Sequence, residues 1–105
     1  MTKQERRIAR ITKMEASLNA LTAANAAMEQ ALGAFRGVPA KAAALSGYLG
    51  SESWWQDFEA DAEGALPADL PRGVLSEDGI YNALDDYRAL LVEMLKAVTD
   101  AVKNG

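Results

Sequence analysis

Neither cysteine nor histidine occurs in the 105 residues, proline appears three times, and aromatic residues make up only 7%. Without cysteine there is no disulfide framework, zinc finger, iron–sulfur site or thiol nucleophile. Without histidine there is no Ser-His-Asp triad, no imidazole base and no imidazole-bound metal. No cofactor is implied. Long apolar runs are also missing: no window approaches the roughly 18 apolar residues of a membrane span. The basic amino end does not read as a secretory signal, which needs an apolar stretch of roughly 7–15 residues after its charges. Here Met14 is followed at once by Glu15, and Asn19 and Asn25 come soon after. The expectation is a cytoplasmic protein with no transmembrane segment.

Half the residues are hydrophobic, and many of those are alanine, which buries little area per residue. The larger apolar side chains suffice for one modest core, so residues 1–105 read as a single helical domain. A formal charge of −4 makes nucleic acid an unlikely general partner, since such binders carry a basic footprint. The charge is nonetheless polarised along the chain. Lys3, Arg6, Arg7, Arg10 and Lys13 oppose only Glu5 at the start, whereas Glu52 to Asp86 holds ten acids against Arg72 alone.

The clearest pattern opens the chain. Ile11, Met14, Leu18, Leu21, Asn25, Met28, Leu32 and Phe35 recur at alternating steps of four and three, the seam of an amphipathic helix. Thr2 and Glu5 have capping-box spacing, and Gly37 and Pro39 supply a stop. A helix from about Lys3 to Arg36 would be about 50 Å long at about 1.5 Å per residue, so the spacing predicts an elongated domain. The carboxyl end mirrors it, with Ile80, Leu84, Tyr87, Leu91, Met94, Val98 and Ala101 in the same rhythm. Ser76 is its N-cap, Glu77 and Asp78 suit the helix dipole, and Leu75 and Ile80 have staple spacing. Gly79 stands where a capping box would want Glu or Gln.

Two shorter helices are expected between these. One opens at Pro39 and runs through Ala42, Leu45 and Leu49 to Gly50. The other starts near Ser51 or Ser53 and carries Trp54, Trp55 and Phe58 to Gly64. From Ala65 to Leu75 there is too much proline and glycine for a helix, and too much leucine and valine for a free linker. An ordered loop pinned by Leu66, Leu70 and Leu75 is the reading. The sum is an all-α fold: an elongated bundle of two long antiparallel helices, two short helices and an ordered Pro/Gly loop.

The stretch Ser53-Trp54-Trp55-Gln56-Asp57-Phe58-Glu59-Ala60-Asp61 is followed by Leu66-Pro67-Ala68-Asp69-Leu70 and Arg72-Gly73-Val74-Leu75-Ser76-Glu77-Asp78. It resembles a small bacterial family of unknown function with a central W-x-x-D-F/Y-E-A-D, L-P-x-D-L-K-R-G-V-L-S-E-D signature. The similarity covers nearly the whole chain, and Pro71 departs from it where the family has lysine. The resemblance implies an all-helical cytoplasmic protein with no assigned activity.

Several groups invite a chemical reading beside a plainer one. Asp57 and Asp61 share a helix face, and with Asp85 they could hold Mg²⁺ as in helical pyrophosphohydrolases. The paired E-x-x-E and E-x-x-D motifs of those enzymes are absent, and acid runs are ordinarily solvated faces. Asp69 is placed to accept backbone N–H bonds in its loop, while the Arg72 fork pairs with a nearby acid. Adjacent helix residues point about 100° apart, so Trp54 and Phe58 should share a core face and leave Trp55 at the edge. There Trp55 could anchor an interface. The basic face of Lys3, Arg6, Arg7, Arg10 and Lys13 opposes the helix dipole, which suggests a partner outside the helix, although a charged face is ordinarily only solvated. Asn25 interrupts the apolar seam, where a polar residue fixes register or oligomeric state. Met14, Met28 and Met94 are core filler.

The leading expectation is a non-catalytic interaction or regulatory module whose partner is another protein or itself, as a homodimer. Arg6, Arg7, Arg10, Asn25, Trp55 and Arg72 are its candidate contacts. The enzymatic alternative is a Mg²⁺-dependent phosphohydrolase using Asp57, Asp61 and Asp85. A third reading is weak RNA or membrane-surface binding through the basic first helix.

Overall fold

The computed structural model describes every residue, Met1–Gly105, and contains helices and no strand. Four α-helices follow in order: α1 (Lys3–Phe35), α2 (Val38–Tyr48), α3 (Glu52–Ala62) and α4 (Glu77–Asn104), with a 3₁₀ turn at Gly73–Leu75. Two long helices, two short ones and an ordered Pro/Gly loop are what the spacing predicts. The contacts divide the chain into two units, Met1–Pro39 and Ala40–Gly105, with the boundary in the first turn of α2.

The first unit is essentially α1. Thr2 adopts extended backbone and its hydroxyl accepts the Glu5 N–H at 3.0 Å, so one orphan donor of the first turn is satisfied. The helix ends one residue earlier than its spacing predicts. At its end the Arg36 N–H reaches the Leu32 carbonyl at 3.1 Å and the Gly37 N–H reaches that of Ala34. The chain re-enters a helix at Val38, so Pro39 sits in a first turn, where a missing N–H costs nothing.

The second unit carries the core. Helix α2 stops at Tyr48, and Gly50 takes a left-handed φ of 78° that a side chain would strain. Ser51 then caps α3: its hydroxyl accepts the Trp54 N–H at 3.2 Å and donates to the Tyr48 carbonyl at 2.6 Å. The far end of α3 closes in a Schellman arrangement. Gly64 has φ 72°, its N–H bonds to the Asp61 carbonyl, and the Ala65 N–H reaches back to Ala60 at 2.9 Å. Helix α4 starts behind Ser76, whose side chain accepts the Gly79 N–H at 3.3 Å.

The 3₁₀ turn packs against both α3 and α4. Around it lie the four buried apolar side chains, Trp54, Leu75, Ile80 and Leu84. Three expectations need correction here, the first being that Met14, Met28 and Met94 are exposed rather than core filler. Phe58 stacks on Trp54 (ring centroids 5.2 Å apart) yet remains 42% exposed, because it covers the outer face of the indole rather than entering the core. Leu70 is likewise exposed, so the loop is pinned by Leu75 and the half-buried Leu66.

Candidate functional site

Within the second unit, a cleft of ≈ 250 Å³ is lined by Tyr48 from α2, Asp57 from α3, and Leu66, Leu70, Arg72 and Val74 from the loop. Three polar links build its walls. The Tyr48 hydroxyl donates to Asp57 Oδ2 at 2.6 Å, joining α2 to α3. This hydrogen bond is the main cause holding the Tyr48 phenol above the ordinary tyrosine pKa, with desolvation and the negative charge of Asp57 adding to it.

Arg72 supplies the second link. Its guanidinium pairs with Asp61 and also donates to the Pro67 carbonyl, while Nε donates to the Leu70 carbonyl at 3.2 Å. The planar fork thereby ties two turns of the loop to α3. The third link is the indole N–H of Trp54, which donates to the Val74 carbonyl at 2.9 Å. Arg72 thus finds an acid as its loop chemistry requires, whereas Asp69 makes no hydrogen bond with its carboxylate. The backbone of the tight 67–70 turn is closed instead by the Leu70 N–H on the Pro67 carbonyl at 3.2 Å.

Trp55 lies at the edge, half exposed, edge-to-face on Trp54 with centroids 4.8 Å apart. Together with Phe58, 6.1 Å away, it forms an aromatic surface open to solvent. The carboxylates are arranged differently from a metal centre. Asp57 is engaged by Tyr48 and Asp61 by Arg72, and no three acids converge as a ligand group. The Tyr48–Asp57 pair escaped sequence reasoning. Its one signal is the short separation, nine residues across the α2–α3 turn.

In the first unit the candidate residues lie along α1. Arg6 donates to the Met1 carbonyl at 3.3 Å and Arg7 to Gln4 Oε1 at 3.4 Å. No salt bridge engages Arg6, Arg7 or Arg10, so the charge that opposes the helix dipole finds no acid in this chain. Asn25 is exposed among exposed neighbours. The seam Ile11, Met14, Leu18, Leu21, Met28 and Leu32 stays at least half open to solvent, and α1 buries no residue at all. On α4, Leu90, Val92, Leu95, Val98 and Val102 are open in the same way. No helix is long and apolar enough to cross a membrane.

A profile for a domain of unknown function, DUF4298, matches residues 11–97, from the first seam position of α1 to the last third of α4. No curated protein and no solved structure matches the chain.

Proposed function

The chain belongs to the DUF4298 family, and we propose that it works as a non-catalytic protein–protein interaction module. The observation that carries the reading is the open seam of α1. A monomeric surface rarely leaves a contiguous apolar stripe in water, and a lone helix draws most of its stability from packing that stripe. Here a 33-residue helix leaves its stripe at least half exposed at Ile11, Met14, Leu18, Leu21, Met28 and Leu32. The exposed tryptophan Trp55 offers a second contact, of the residue type most enriched at binding hot spots. Prior engagement of Asp57 and Asp61 by Tyr48 and Arg72 supports this reading over the phosphohydrolase. A chain free of cysteine suits a reducing compartment, and the proposal places the module in the cytoplasm.

The test is a photo-crosslinking amino acid placed at Leu21, on the seam, or at Gln30, on the opposite face of α1. In cells, the Leu21 probe should link to a polypeptide, whether a different protein or another copy, and the Gln30 probe should not. Labelling of nucleic acid or lipid alone, or of nothing, would overturn the reading.

A further inference from the structure

Among the surfaces left open, the seam of α1 says most about what covers it. Its residues keep heptad spacing throughout, with Asn25 the one polar member: Ile11, Leu18, Asn25 and Leu32 take the a positions, and Met14, Leu21, Met28 and Phe35 take d. That is three and a half heptads, about the length at which a coiled coil becomes self-sufficient. Arg7 falls at the preceding d position and ends the seam there.

We propose that α1 pairs with α1 of a second copy of this chain, parallel and in register, through Ile11 to Phe35. This deepens the interaction-module reading and rests on it. Two features select the partner and its direction. In a parallel pair each a residue meets its own counterpart, so Asn25 faces Asn25 of the other copy and the two amides satisfy each other. A full antiparallel overlap would set Asn25 against Leu21 twice and bury it without a partner.

Charge selects the same direction. Arg10 occupies g and Glu15 the following e, the two positions that meet across a parallel seam. The pair therefore forms twice, once in each sense, and gives the otherwise unpaired Arg10 an acid. Antiparallel overlap would instead bring Glu15 near Glu29 of the second copy, a like-charge contact. Of the remaining flanking residues, Ser17, Thr22, Ala24 and Ala31 are small and neutral, and Glu29 at e faces Ala24 of the second copy rather than another acid.

The experiment uses the full chain. Sedimentation equilibrium should give twice the 11.2 kDa chain mass, and Leu21→Asp should return it to one chain. Emission from Trp54, in the other unit, should stay unchanged as the control for folding. Glu15→Arg should weaken the dimer about tenfold, and Arg10→Glu added to it should restore affinity. Since the chain has no native cysteine, Ile11→Cys, at the first a position of the seam, should oxidise to a covalent dimer, which an antiparallel overlap would not allow. A chain that remains monomeric at high concentration would overturn the second-copy proposal while leaving the interaction reading intact. So would a dimer indifferent to Leu21→Asp, one whose affinity the double charge swap does not restore, or one that Ile11→Cys cannot cross-link.

Discussion

Gly79 stands where the first turn of α4 would accept almost any residue, and the reason for its size lies outside the helix. A Cβ built there would sit 2.9 Å from the carbonyl oxygen of Gly73 and 3.7 Å from Ser76 Cβ. Both Gly79 and the obstructing atom belong to backbone, so neither yields easily. Alanine would gain up to about 1 kcal/mol of helix propensity, but overpacking costs about 1–3 kcal/mol. Gly79→Ala should therefore destabilise the second unit by about 1 kcal/mol, seen as a lower Tm in a thermal melt. Trp54→Phe removes the N–H that satisfies the Val74 carbonyl and should cost about 1–2 kcal/mol in a denaturant titration followed by circular dichroism. Tyr48 makes a pH prediction. Its phenol is held above the ordinary range, so the folded state binds that proton more tightly than the unfolded chain. The resulting stability is complete below about pH 10, the unfolded value, and is lost as pH rises through the raised folded value. Tyr48→Phe should flatten this alkaline decline, measured as the pH dependence of the denaturant midpoint.

Among the elements, the helices were legible because their signals are local. Thr2, Ser51 and Ser76 cap the helices that their positions suggest, and Gly64 ends α3 in the left-handed conformation that glycine favours. The loop between α3 and α4 was legible only in part. That Arg72 needs an acid follows from its chemistry, but which acid depends on where the chain returns, and Asp61 lies eleven residues back. The indole of Trp54 finds Val74 twenty residues ahead, beyond any local pattern. Phe58 misleads for a related reason: helical spacing gives its direction correctly, but a core of four side chains is too small to enclose a second ring. Arg72→Ala should loosen residues 65–75 by about 1 kcal/mol and raise their amide exchange while leaving α1 unchanged. Arg72→Lys should behave nearly as badly, because an ammonium cannot reach an acid and two carbonyls in one plane.

At the scale of the whole molecule, 105 residues bury four apolar side chains, of which only Trp54 is fully enclosed. Small cores supply only a few kcal/mol, and the proposed α1 pairing would add stability by mass action. The chain's thermal midpoint should accordingly rise with protein concentration, and a series of melts over a hundredfold range would show it. A midpoint independent of concentration would mean that four buried side chains suffice. The two indoles also give the protein a built-in optical gauge. Trp54 is 1% exposed and Trp55 50%, yet their rings touch edge to face. One chromophore should emit in the blue and resist quenchers; the other should emit to the red and yield to them. Any event that pulls the loop off α3 will merge those two signals, while a partner that covers Trp55 will shift only the red one, so a fluorimeter can tell unfolding from docking without a label.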